Sequence, residues 1–431
     1  MAMSLVIGNM IGSGVFLLPA SLALYGGISV VGWLVTATGA LLLALVFARL
    51  SSVMPRAGGP YAYTRRGFGD FAGFLVAWGY WISIWTSNAA IAVAFVSYST
   101  VFLPVLAENR VAAAALAIAA IWLLSWVNSV GVRSAGWVQL ITTILKLVPL
   151  LTVATLGLLF FNADHFRPFN QSGGSSISAI TATVALTLWA FLGLESATIP
   201  ADDVRDPGRT IPRATVLGTA VTTLVYILGT VAVMGIVPPA ALAASNAPFA
   251  DAARAIWGNW AGYAVGAGAA ISCFGALNGW ILLQGQIPLA AARDGLFPRP
   301  FGRMSRNGTP AAGIVMSSVL VTLLIGLNYT KGLVEQFNFI ILLAALNTLV
   351  AYTLSTMSQL MIFVREREKF VGERLLGSSI IAVLAFIYSL WAIAGAGRDI
   401  VYLGFLLLFA GIPVYVWIVW RTGSPSVGGD P

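Results

Sequence analysis

Two ionisable side chains stand alone in long apolar runs. Glu195 is the single charge between Ser176 and Ala201, and Lys146 is the single charge between Ser134 and Ala163. A charge at the centre of a bilayer costs about 3 kcal/mol, so each is a functional candidate by default. Glu195 suits a proton-linked carboxyl; a protonated carboxyl bonded permanently to a neighbouring carbonyl is the simpler alternative. Lys146 lies roughly 15 Å from either end of its run at about 1.5 Å per residue, which weakens snorkelling to an interface as an explanation. An ammonium at that depth can donate to carbonyls of an interrupted helix.

Two interruptions are legible. The first apolar run contains Gly12-Ser13-Gly14 with Asn9 just before it, and the sixth contains Gly193 followed by Glu195 and Ser196. Glycine and small polar residues at mid-membrane free backbone groups that only protein or a water-lined cavity can satisfy. Glycines that simply let helices approach are the plainer reading of Gly12 and Gly14 alone; polar residues at both places favour true breaks. Breaks five helices apart point to an inverted five-helix repeat with a solute site between them. Free N–H groups around Ser13 and Gly14 form the positive end of a half-helix, suited to a carboxylate, and carbonyls of the sixth run suit an ammonium. That pairing matches the two charged ends of an α-amino acid. Trp189 and Trp280 lie mid-span, away from the interfaces where such rings anchor, and either ring can stack on a cationic or aliphatic chain. Asn88 and Asn347 are polar at the same depth, as pocket residues or as interhelical glue.

The elements that must position these residues are membrane helices. The 431 residues are 59% hydrophobic and 9% charged, with mean hydropathy +0.90, against about a quarter charged in soluble chains. Apolar segments of spanning length fall near 1–24, 28–54, 70–104, 111–130, 136–161, 176–200, 213–237, 259–291, 311–328, 334–364, 376–396 and 399–420. The expectation is an all-α integral membrane protein of about twelve helices in one domain, residues 1–431, with repeats near 1–161 and 176–364 and peripheral helices near 376–420. Sixteen of the 23 Lys and Arg residues lie in the even-to-odd loops and five in the opposite ones, which places both termini in the cytoplasm. The first segment starts at Met1 with no basic leader and reads as a spanning helix.

Composition excludes much. The net charge of +8 is spread over helix ends rather than gathered in a patch, so nucleic acid is not a partner. One His, His165, and one Cys, Cys273, cannot build a disulfide, a zinc site or a His-based catalytic cluster. No metal, no cofactor and no enzymatic activity are expected: an embedded enzyme would need a second acid beside Glu195. A channel would need a polar pore lining or a filter repeat, which the sequence lacks.

The ordered motifs Asn9-Met10-Ile11-Gly12-Ser13-Gly14-Val15-Phe16, Gly58-Gly59-Pro60-Tyr61-Ala62-Tyr63, Leu188-Trp189-Ala190-Phe191-Leu192-Gly193-Leu194-Glu195-Ser196 and Asp294-Gly295-Leu296-Phe297-Pro298 with Gly308-Thr309-Pro310 resemble the amino acid/polyamine/organocation transporters over nearly the whole chain. Within them the sequence is most similar to the basic amino acid/polyamine antiporters, such as arginine/agmatine exchangers. The resemblance implies a LeuT-like fold in the inner (cytoplasmic) membrane of a bacterium and sodium-independent exchange of an amino acid for a related amine; self-association into a homodimer stays open. It implies that Ser13 and Gly14 hold the substrate carboxylate, that Trp189 is an inner gate, and that Trp280 and Asn88 meet the distal end. It also implies Phe337 as an outer gate, Glu195 as proton-linked and Tyr61 as a cytoplasmic pH-sensing position. Asn9, Ile11, Ser83 and Leu192 complete the expected substrate-binding set with three departures: Ile84 in place of a smaller cysteine, and Ala190 and Ala344 in place of hydroxyl residues. These make the pocket drier and tighter. Lys146 is similar to the helix-five lysine of neutral amino acid exchangers and proton-coupled permeases, so a permease for neutral amino acids stands as the alternative.

Overall fold

The computed structural model describes residues 2–55, 58–130, 147–199, 201, 204–370 and 375–422. Among them there are helices and no strands. We number the main helices α1 Ala2–Met10, α2 Gly14–Ala23, α3 Ile28–Val53, α4 Pro60–Phe68, α5 Asp70–Ser99, α6 Arg110–Val130, α7 Leu147–Phe160, α8 Ser176–Leu188, α9 Pro207–Ile236, α10 Pro248–Trp257, α11 Asn259–Arg293, α12 Ala311–Asn328, α13 Leu333–Arg365, α14 Leu375–Gly395, α15 Arg398–Phe409 and α16 Gly411–Thr422.

Among the described residues ten regions are long and apolar enough to cross a bilayer, and Gly14–Ala23 and Leu147–Phe160 are two shorter apolar helices. Of the expected spans, the first is divided into α1 and α2, and the fifth is described only from residue 147 on. Lys146 lies outside the described residues.

Burial separates inside from outside. The spanning window of α5 is 94% buried, whereas those of α14 and of residues Arg398–Arg421 are 28% and 22% buried. Helix α5 packs along both α11 and α13, while α3 packs against α8 and α9, and α1 lies on α9. The two broken segments thus sit between an α5–α11–α13 group and an α3–α9 group. Helix α14 bridges α13, α3 and α8 from outside.

Two boundaries differ from the expected ones for local reasons. Helix α9 begins at Pro207, six residues before the apolar run, because a proline at the first helical position needs no N–H partner. Helix α10, with Asp251 and Arg254 on one side and Phe249, Ala250, Ala252 and Ala253 buried, was hidden in a loop too mixed to read as a span. It packs against α2 and α11.

Candidate functional site

The first break spans Ile11–Ser13. The Gly12 N–H donates to the Met10 carbonyl at 2.9 Å, a tight turn in place of a helical bond, and the helix resumes at Gly14. The first turn of α2 therefore presents amides without helical acceptors. Ser13 Oγ beside them is buried and has no hydrogen-bond partner.

The second break runs from Trp189 to Thr198 as two short tight-turn segments around an irregular Leu192–Glu195. Gly193 has φ +101°, a conformation that side chains disfavour, and a Cβ there would lie 3.3 Å from Asn9 Cβ and 3.4 Å from Trp280 Cζ2. At Gly14 a Cβ would lie 3.0 Å from Trp189 Cδ1 and 3.2 Å from Ala190 Cα. The two interruptions face each other at distances tighter than most side-chain contacts. Tyr226 of α9 ties them together, its hydroxyl reaching both the Met10 carbonyl and, at 2.9 Å, the Ala190 carbonyl.

Between the breaks lies a cavity walled by Asn9, Met10, Gly12, Ser13, Gly14, Ser87, Ile91, Trp189, Leu192 and Trp280. It has about 20 Å³ of room for water centres, enough for one water and too little for an amino acid. The site is closed. Trp189 sits edge-on to Phe337 at 6.4 Å between ring centroids. Beside that pair, Ser21 Oγ of α2 donates to Asn338 Oδ1 of α13 at 2.6 Å.

Glu195 is fully buried and receives hydrogen bonds from two hydroxyls, Tyr80 of α5 and Tyr352 of α13. This links the second break to both helices of the opposite group. The bond of Glu195 is thus to tyrosines rather than to a carbonyl.

At the end of the bundle that carries the loop after α11, Tyr61 donates to Asp294 Oδ2 at 2.7 Å. Arg65 pairs with the same Asp294 oxygen at 2.9 Å and with Asp70 at 2.7 Å. Burial, then the bond to Asp294, pushes the Tyr61 phenol well above its usual range. The phenol remains a donor at any pH in which cells live.

Of the expected substrate-binding residues, Asn9, Ser13, Gly14, Trp189, Leu192 and Trp280 form the cavity wall. Ile11, Ile84, Ala190 and Ala344 are buried outside that wall. Ser83 pairs with Thr348 across α5 and α13. Asn88 donates to Gln284 Oε1 at 2.7 Å, and Gln284 in turn donates to Ser318 and to the Ile314 carbonyl. Asn347 donates to the Leu343 carbonyl one turn back. Ser87 and Ile91 line the cavity unannounced by the sequence, although both follow Ser83 by helical steps of four on α5. Among the described residues no group of three His, Cys, Asp or Glu side chains could hold a metal.

The arrangement offers amides and a free hydroxyl for an anion, and two indole rings beside them for a cation or aliphatic chain. An amino acid permease family profile matches residues 1–420. The chain is 37% identical over 423 residues to the cadaverine/lysine antiporter of Escherichia coli (strain K12), covering 94% of this chain and 92% of that one. It is 33% identical over 449 residues to a putative arginine/ornithine antiporter of Bacillus subtilis (strain 168), covering 96% and 95%. It is 31% identical over 415 residues to the putrescine transporter PotE of Haemophilus influenzae, covering 96% and 94%. With a family match across almost all of its length and facing helix breaks at its centre, the chain belongs to the amino acid permease family.

Proposed function

We propose that this protein is a sodium-independent antiporter that exchanges a cationic amino acid, such as lysine, arginine or ornithine, for a related amine or amino acid by alternating access. The observation that carries this reading is the pair of facing breaks with Ser13 Oγ buried and unpartnered between them. A substrate carboxylate takes the amides of Ser13 and Gly14 and that hydroxyl; charge-assisted bonds of this kind are about twice as strong as neutral ones. The side chain lies between Trp189 and Trp280, and an ammonium gains from the indole faces. Relatives acting on lysine and cadaverine, arginine and ornithine, and putrescine support a cationic substrate.

Transport follows from two closures. On one side Trp189 against Phe337, with Ser21 bound to Asn338, shuts the chamber; on the other, Glu195 with Tyr80 and Tyr352, and Tyr61 with Asp294, hold the groups together. Substrate binding shifts the balance between facing states by its differential affinity for them. In this reading the fold is LeuT-like, with repeats near residues 1–161 and 176–364 and peripheral helices near 376–420. The chain sits in a bacterial inner membrane with both termini cytoplasmic, works without a cofactor, carries no enzymatic step and can pair as a homodimer.

The test is counterflow. Proteoliposomes loaded with unlabelled lysine should accumulate labelled lysine, arginine or cadaverine, and empty ones should not. Uptake of leucine or alanine into empty vesicles, driven by a pH gradient, would replace this reading with a proton-coupled neutral permease.

A further inference from the structure

A second cavity opens on the flank of the bundle, away from the chamber. It offers about 560 Å³ and is lined by Pro300 and Phe301 in the loop after α11, Met316 of α12, and Pro413, Val414 and Trp417 of α16. Every one of these side chains is apolar, and Met316 and Trp417 are 49% and 41% exposed. This flank belongs to the least buried span of the protein, so its surroundings are lipid. An apolar groove of this size is poorly filled by water and well filled by a hydrocarbon chain.

Three arginines flank the lining residues. The Arg421 guanidinium lies 4.5 Å from the centroid of the Trp417 ring. Arg299 stands between the lining residues Pro298 and Pro300, and Arg303 follows Phe301 by two positions. All three are exposed, and among the described residues none has a carboxylate partner. Asp294, the acid of the same loop, is already engaged by Tyr61 and Arg65.

We infer that this groove is a binding site for an anionic phospholipid, with an acyl chain along Phe301, Met316 and Trp417 and the phosphate held by Arg299, Arg303 and Arg421. Guanidinium groups match phosphate oxygens in geometry as well as charge, and basic side chains at a helix end attract anionic headgroups. The groove distinguishes a lipid from free phosphate, since phosphate alone has no use for the apolar wall. The bound lipid would clamp α16 and the loop after α11, the loop that begins at Asp294 with its contact to Tyr61. The inference needs the chain to be membrane-embedded and is independent of which solute it carries.

The experiment uses the full chain, delipidated in a neutral detergent, with phosphatidylglycerol or phosphatidylcholine added and retention read by native mass spectrometry. Wild type should retain one phosphatidylglycerol with about tenfold preference, a difference of about 1.4 kcal/mol. The triple variant Arg299→Gln, Arg303→Gln, Arg421→Gln should lose that preference, and Met316→Trp, which fills the groove, should retain neither lipid. Val414→Trp serves as the filling variant if Met316→Trp does not fold. Equal retention of both lipids by wild type, or unchanged phosphatidylglycerol retention in the variants, overturns the assignment. So does a wild-type dimer in lipid-free detergent that Met316→Trp dissociates, because the groove would then hold a second copy of the chain. Retention is read without transport, so a failure of lysine counterflow leaves this result standing.

Discussion

The polar groups at the two breaks are treated oppositely by the fold. Glu195 has both of its oxygens occupied, by Tyr80 and Tyr352, and Thr198 Oγ1 bonds its carbonyl at 2.6 Å. Across the chamber Ser13 Oγ has no partner, and Ser196 Oγ next to Glu195 has none either. Buried polar groups are nearly always paired, and each orphan costs free energy. A satisfied group holds the protein's own helices together, whereas an orphan at a cavity wall is a place kept for a ligand. Substitutions in the first class should therefore act on stability and gating, and those in the second on affinity.

The largest expected effect is at Gly14, where both classes meet. Gly14→Val forces atoms into Trp189 and the Ala190 backbone; overpacking of about 3 kcal/mol predicts a loss of roughly a hundredfold in exchange rate. Folded protein with unimpaired counterflow would mean the breaks do not need to touch. Next, Tyr80→Phe with Tyr352→Phe leaves the Glu195 carboxyl unpaired and should lower stability by about 2 kcal/mol, read as a drop in melting temperature with KM changed less than about twofold. Removing the indole in Trp189→Leu should weaken cationic substrates about tenfold, the value of a desolvated cation–aromatic contact, while the melting curve stays near wild type.

Smaller effects sharpen the division. Ser13→Ala should cost lysine about fivefold in affinity and leave cadaverine unchanged, because the diamine has no carboxylate for that hydroxyl; equal losses for both would reassign Ser13 to structure. The smallest effect belongs to Tyr61→Phe, which removes one hydrogen bond but leaves the Arg65–Asp294 pair, a change of about twofold in rate. Since burial raises the Tyr61 phenol above its ordinary value of about 10, the bond persists below that pH and weakens only above it. The twofold change should be constant from about pH 5 to 8, measured as a rate profile of variant against wild type.

What the sequence made legible was the paradox in the membrane: glycines with polar neighbours inside apolar runs. Asn9, Ser13 and Gly14 stood out as polar and small residues in an apolar run and Trp189 as a mid-span ring, whereas Leu192 came only with the family resemblance. The partners were hidden. Tyr80 and Tyr352 lie 115 and 157 residues from Glu195, and tyrosines in an apolar helix look like packing until the helices are assembled. Tyr226 was invisible for the same reason, though it joins both breaks. At Asn88 the type and depth left a pocket residue and interhelical glue both open, and its amide donates to a glutamine 196 residues away. Helix boundaries were harder to read: α9 starts at Pro207, ahead of its apolar run, and α10, though bounded by Pro248 and Gly258, was hidden because its charges on one side disguise its buried apolar face.

The most direct test is a cryo-EM map of the protein with lysine bound. The expected result is ligand density between Ser13–Gly14 and Trp189–Leu192, carboxylate against the amides and the aliphatic chain under the Trp189 ring. Density for lysine elsewhere, or first and sixth spans that run as unbroken helices past Ser13 and Gly193, would contradict it.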